Sequence, residues 1–236
     1  MANIKDYLTG IAIGIKFWPN YSIEDNLGII IDELLYRKGS LFNYITFPHT
    51  SYSLGEKKIN NPHTGDNLLI NKNNIILDIN FSDKIPKEEA GKLISEFFKT
   101  ATENIYKIVD IRDVYLIGIV SKYVINDEVK LKRLFRDFEQ ITFNDIDTIS
   151  FNFTKKIVLP ESKTSKDLND FENIIHTLMA PKDSKEGYFL QIDYQKIFEP
   201  RLVSIIDIKY KDFIDKVDYY NNNRINEWIN RDGKNT

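Results

Sequence analysis

The sequence predicts an α+β protein of two similar units, each an antiparallel sheet covered by amphipathic helices. Three observations carry that expectation. Segments of period-two apolar alternation recur along the chain. Stretches with apolar residues at i, i+3 and i+4 separate them. The order of the two kinds of segment in residues 1–110 returns in residues 111–236. A chain of 236 residues has room for two such units or for one continuous domain.

The first strand is read from Ile11, Ile13, Ile15 and Phe17, which alternate with Ala12, Gly14 and Lys16 until Pro19 and Asn20 break the pattern. Ser22 is a suitable helix cap, followed by Glu24 and Asp25 in the first turn. Leu27, Ile30, Ile31, Leu34 and Leu35 continue one apolar face to Gly39, so the spacing predicts a helix over 22–37. Two aromatic strands, about 41–47 and 51–59, are predicted as a hairpin turning at Pro48–Thr50, and 60–67 as a polar loop. Ile75, Leu77, Ile79 and Phe81 form one face of a further strand, with a turn at Asn71–Asn74. Pro86 opens a helix whose apolar face runs from Ala90 to Ile108.

The second unit starts with Val114–Ile125, apolar on both faces and therefore central in its sheet. Leu131, Leu134, Phe135 and Phe138 predict a short helix, and Ile149, Phe151, Phe153 and Ile157 a strand. Leu168, Phe171, Ile175 and Leu178 recur at helical spacing after Ser165, which predicts an inserted helical segment within about 160–186. Strands are expected at 187–197 and 202–210, and a closing helix at 211–231. The two sheets are expected to join edge to edge or to pack face to face.

Composition excludes several classes. Hydrophobic residues are 42% and charged residues 28%, enough apolar surface to exclude a disordered chain. The chain has no cysteine, which excludes disulfides, iron–sulfur clusters, thiol nucleophiles and cysteine zinc sites. Apolar runs are far shorter than the roughly 20 residues of a membrane helix, and the amino terminus lacks a signal-peptide pattern. A cytoplasmic location without membrane contact is the expectation. No Walker A run, G-x-G-x-x-G or G-x-S-x-G occurs. The net charge is −3, and the densest basic stretch, Lys130, Lys132, Arg133 and Arg136, is diluted by Asp127, Glu128 and Asp137. It reads as a solvated helix face; a nucleic-acid contact there is open but not signalled.

Lys122-Tyr123-Val124-Ile125-Asn126 on a two-sided strand, and Leu190-Gln191-Ile192-Asp193-Tyr194 before a long final helix, give the chain a family likeness. In its order of elements it resembles an uncharacterised, sporadically distributed bacterial family of about this size. Members tend to end such a strand with an Arg-Tyr-Ile-Asn run; here Lys122 replaces the arginine and one residue intervenes. The resemblance implies no activity. Its patchy distribution is similar to that of accessory genes, phage-defence and toxin-linked genes among them, and so implies an antiviral setting rather than a chemistry.

Among groups that could carry chemistry, His49 and His63 each stand in a Pro-His-Thr tripeptide, with Glu56 and Asp66 nearby. Two imidazoles and two carboxylates would suit zinc or manganese in a hydrolase or nuclease. An extended strand between the histidines would hold them about 25 Å apart, and Pro-His-Thr is also ordinary turn chemistry. Glu56-Lys57-Lys58 has the Glu-x-Lys form of a metal-dependent nuclease, but no acid lies between Lys38 and Gly55 to complete it. His176 is expected on the inserted helix, partly buried. Of the acidic pairs Asp110/Asp113, Asp145/Asp147 and Asp193/Asp207, the last would share a sheet face if its strands paired. Aromatic residues are 13% of the chain. Phe42, Tyr44 and Tyr52 cluster on one hairpin, and Tyr219, Tyr220 and Trp228 on the last helix, as anchors of a protein interface. The expectation is therefore a non-catalytic protein-interaction module without cofactor, with a protein partner or a second copy of itself as ligand. The metal-dependent hydrolase is the alternative.

Overall fold

The computed structural model describes residues 4–35, 49–53, 56–60, 66–81, 90–125, 148–158, 171–181, 188–198 and 201–226. The strands are β1 (Leu8–Phe17), β2 (His49–Ser53), β3 (Glu56–Asn60), β4 (Asn67–Asn71), β5 (Asn74–Asn80), β6 (Val114–Ile125), β7 (Thr148–Val158), β8 (Phe171–Pro181) and β9 (Tyr188–Ile197). The helices are α1 (Ser22–Asp25), α2 (Leu27–Leu35), α3 (Ala90–Ile108) and α4 (Tyr210–Tyr220), the last running on into a π-helical turn, Asn221–Ile225. The arrangement is α+β, with helices segregated from one antiparallel sheet.

The nine strands among the described residues form a single sheet in the order β2-β3-β4-β5-β1-β6-β9-β8-β7. At about 4.8 Å per strand it is about 38 Å wide. Its middle is the antiparallel pair β1–β6, with Ile13 opposite Ile119 and Gly14 opposite Gly118. On either side stands the last strand of the same half, β5 beside β1 and β9 beside β6. The strands of the two halves thus join edge to edge. The turn from β4 to β5 is made by asparagine chemistry: the Asn71 Oδ1 accepts hydrogen bonds from the backbone N–H groups of Asn73 and Asn74, at 3.0 and 2.9 Å.

Alternation decides which face is buried. Ile13, Ile15, Leu68, Ile70, Ile75, Leu77, Ile117, Ile119, Ile174, Leu190 and Ile192 point to one side and are buried. Ile30, Phe98, Ile105, Phe213 and Val217 of the helices meet them in one continuous core. Helix α3 packs between α2 and α4, and the Phe98 and Tyr210 rings touch edge to face at 5.4 Å.

Several predicted elements are corrected. Residues 171–181 are strand β8, not part of an inserted helix. Both faces of this strand carry apolar groups, Ile174 and Leu178 on one and Phe171 and Ile175 on the other, so the spacing imitates a helix. Glu172 and His176 on the buried face hide the true alternation. The predicted strand 202–210 is a single bridge, Val203 to Val114, followed by a 3₁₀ turn at Ile205–Asp207. Ile205 and Ile208 are buried there while Ile206 is exposed. Asp207 therefore shares no sheet face with Asp193. The first helix is interrupted at Asn26, whose side-chain amide donates to the Ser22 carbonyl at 2.8 Å. The hairpin of this region joins β2 to β3, with Ser53 opposite Glu56, rather than turning at Pro48–Thr50. The predicted strand 41–47 and the predicted helix 131–138 lie outside the described residues.

Candidate functional site

The described helices gather on one face of the sheet. The opposite face presents Leu69 of β4, Ile76 of β5, Ala12 of β1, Leu116 and Val120 of β6 and Ile175 of β8, all half-buried. Phe189 and Met179 extend this apolar surface and are exposed. Gly14 and Gly118 stand opposite each other at its centre. Lysines and carboxylates are arranged around them. The Lys122 ammonium of β6 reaches across β1 to both Asp78 oxygens of β5, at 2.7 and 2.8 Å, over Gly10 and Ala12. Asp193 of β9 accepts a hydrogen bond from Gln195 Nε2 at 2.6 Å. Burial pushes the Asp193 carboxyl above the usual carboxylate range, against the opposing pull of the Gln195 hydrogen bond and the Lys16 ammonium.

A second polar group lies on the helix side, under α4. Glu172 is 1% exposed. Its Oε2 accepts from the Tyr194 hydroxyl at 2.7 Å and its Oε1 from Lys216 Nζ at 2.6 Å. The Tyr194 ring packs edge-on against Phe213 and Tyr220, and the Tyr220 hydroxyl lies 3.3 Å from His176 Nε2. At the next residue, Asn221 Nδ2 donates to the Ser121 hydroxyl at 3.0 Å. Burial, and then the neighbouring Glu172, push the Tyr194 hydroxyl pKa up; burial likewise raises Tyr123 and Tyr210. A cavity of about 350 Å³ opens beside Glu172 and Lys216, with Lys196, Lys209, Asp207 and Asp212 at its walls. Three lysines and three carboxylates balance there, and both Glu172 oxygens are already engaged. Chemically the cluster is a buried clamp that fixes α4 on the sheet: it satisfies a carboxylate that would otherwise be costly to bury.

The sequence-predicted residues are placed as follows. In the β2–β3 hairpin, His49 stands opposite Asn60 and Glu56 opposite Ser53. His49 thus falls at the end of the hairpin away from Ser53 and Glu56; the separation of about 25 Å expected between the histidines involves His63, which lies outside the described residues. Glu56 falls at the other end, about 13 Å away along the strands. Asp66 is buried, and its Oδ1 accepts from the Asn80 N–H at 2.7 Å, closing the β4–β5 ladder. Tyr52 lies on β2 opposite Lys57. Tyr219 is 73% exposed, whereas Tyr220 packs into the buried cluster. His176 is buried on a sheet face rather than on a helix. Phe42, Tyr44, His63, Trp228 and the basic stretch Lys130–Arg136 lie outside the described residues.

Among the described residues no three His, Asp or Glu side chains converge as a metal site would require. No described helix is long and apolar enough to cross a membrane. Sequence reasoning missed Lys16, Lys122, Asp78 and Gly118 as members of one surface. A signal was present: Ile11-x-Ile13-x-x-Lys16-Phe17 and Ile117-x-Ile119-x-x-Lys122-Tyr123 share a pattern. Comparison with protein-family models and with curated proteins finds no match to this chain.

Proposed function

We propose that this chain is a non-catalytic protein-interaction module that docks a protein partner on the face of its sheet that the described helices leave open. It would act as a scaffold, a chaperone-like binder or a subunit of a bacterial assembly, with phage defence as the setting implied by the family resemblance. The observation that carries the reading is that face: half-buried Leu69, Ile76, Leu116, Val120 and Ile175 spread across it, interleaved with Lys16, Lys58, Lys156 and Asp193. A mixed surface of this kind suits a non-obligate protein interface, which is about as apolar as the rest of a protein's surface.

In the same reading, residues 1–110 and 111–236 are tandem units that meet at β1 and β6. The shared Ile-x-Ile-x-x-Lys-aromatic pattern supports it, as does the mirrored order β4-β5-β1 and β8-β9-β6. Lys122 of one unit binds Asp78 of the other, and the Lys16 ammonium opposes the burial-driven rise of the Asp193 pKa across the same seam. The rival reading, a metal-dependent hydrolase through His49, His63, Glu56 and Asp66, is weakened by Glu56 at the far end of the hairpin and by Asp66 holding Asn80. Metal content of the purified protein tests it: stoichiometric zinc or manganese, lost on His63→Ala, would favour the rival.

The absence of cysteine gives a clean test of docking. Val120→Cys on the open face and Glu103→Cys on exposed α3 are each labelled with a maleimide. The expected result is that the macromolecular fraction of host lysate slows labelling of the first and not of the second. Light scattering on the purified protein shows whether a second copy is the partner. Equal labelling of both sites, with and without lysate, in a monomeric protein refutes the reading.

A further inference from the structure

Gly118 occupies the middle of β6, a central strand. Glycine weakens a strand interior, because it is the most flexible residue to order and packs nothing on the pleat. The usual reasons for one do not hold here. Its backbone is not in the left-handed region, and a Cβ would sit 3.7 Å from Asp193 Oδ1, Gln195 Cγ and Leu116 Cδ2, which is ordinary contact. The contrast with its neighbours on β1 is clear. At Gly14 a Cβ would come within 3.1 Å of Ile76 Cγ1, and at Gly10 within 2.8 Å of the Ile79 carbonyl oxygen. Packing requires glycine at Gly10 and crowds a Cβ at Gly14; at Gly118 the described residues leave room unused.

The room is a socket of about 140 Å³ on the open face, walled by Ala12, Ile76, Leu116 and Val120 and edged by Lys16, Asp193 and Gln195. It is well below the roughly 300 Å³ of a cavity for a drug-sized ligand, and on the scale of a single amino-acid side chain. Its edge carries one cation, one carboxylate and one amide, so it has no excess charge to attract phosphates. Donors and acceptors side by side instead complement a peptide backbone. The Asp193 Oδ1 lies at the socket, while Oδ2 is held by Gln195. Burying a large apolar side chain in such a hole is how interface anchors gain most of their affinity.

We propose that this socket receives one apolar side chain of the protein partner, and that the partner's adjoining backbone N–H and C=O groups bond to Asp193, Gln195 and Lys16. The inference rests on the docking reading above and names the chemistry recognised: an uncharged peptide segment with a single apolar anchor.

The test uses the full chain, ¹⁵N-labelled, titrated with N-acetyl-leucinamide and N-acetyl-phenylalaninamide. The expected result is saturable shifts of the Ala12, Gly118 and Val120 amides with a millimolar dissociation constant. Gly118→Leu, which fills the socket from its floor, should weaken binding at least ten-fold while the protein stays folded. Ala12→Leu fills it from the opposite strand and should do the same, should the first variant not fold. Shifts that do not saturate, or that survive both variants, overturn the proposal. So does tighter, salt-sensitive binding of a 20-base-pair DNA duplex at the same amides. Continued protection of Val120→Cys by lysate alongside a negative titration would sink the socket alone; loss of both would sink the docking reading.

Discussion

Tyr194→Phe isolates the clamp under α4. The substitution removes one oxygen and leaves the ring, so the edge-on contacts with Phe213 at 5.9 Å and Tyr220 at 5.6 Å persist. What is lost is a 2.7 Å hydrogen bond to a carboxylate that is almost wholly buried. Hydrogen bonds to charged groups contribute about 1.5–3 kcal/mol. Lys216 still holds the other Glu172 oxygen, and its side chain is 49% exposed, so water can relax that side. The expected loss is about 2 kcal/mol. For a chain of this size that lowers Tm by about 4–8 °C. Urea denaturation followed by circular dichroism reads it, in a cycle with Glu172→Gln. If the hydroxyl acts through Glu172, the two changes fall short of additive by at least about 1 kcal/mol. Additivity within about 0.5 kcal/mol would refute the assignment of Glu172 as the acceptor that makes the hydroxyl valuable.

Three further outcomes are expected. Tyr123, Tyr194 and Tyr210 are buried with folded-state pKa values raised above 10.0, chiefly by burial; above about pH 10 the unfolded chain loses these protons first, so stability is retained below that pH and falls as pH rises, by up to about 4 kcal/mol per pH unit if all three contribute. Flat stability between about pH 10 and 11 in denaturant titrations would contradict this. Gly118→Ala stabilises the protein by about 0.5–1 kcal/mol, whereas Gly10→Ala destabilises it, because its Cβ meets the Ile79 carbonyl oxygen at 2.8 Å; thermal melts of the pair should move in opposite directions. Burial raises the Asp218 carboxyl above the usual range, with Lys5 opposing. Its ionised form thus opposes folding at neutral pH, so Asp218→Asn raises Tm at about pH 7 and the gain shrinks as the pH falls and the carboxyl protonates.

Where one face of a strand is apolar and the other polar, the sequence was enough: β1, β5 and β9 follow their alternation, and α3 its helical face. The Asn71–Asn74 turn was legible for the same local reason, a side chain that mimics a backbone turn. Strand β8 was not, because a buried glutamate and a buried histidine are tolerated only by partners distant in the chain. Lys216 and Tyr220 supply them from 44 residues away. The open face was equally hidden. Each of its residues is unremarkable in its own strand, and only the register of β5, β1, β6 and β9 brings Asp78, Lys122, Lys16 and Asp193 round the two glycines. The aromatic residues chosen as anchors divide: Tyr219 is exposed on the surface, while Tyr220 belongs to the core side of the same helix.

The seam between β1 and β6 also governs how the chain must assemble. The outer strands β3-β4-β5 and β7-β8-β9 pair with sequence neighbours, but Ile13 meets Ile119 from across more than a hundred residues. Closing so large a loop costs entropy before any contact rewards it. The two outer meanders can therefore form early, and the joining of the middle sets the folding rate. Until it happens, β1 and β6 each expose an unpaired, isoleucine-rich margin, which makes slow refolding at high concentration the condition under which this protein would aggregate.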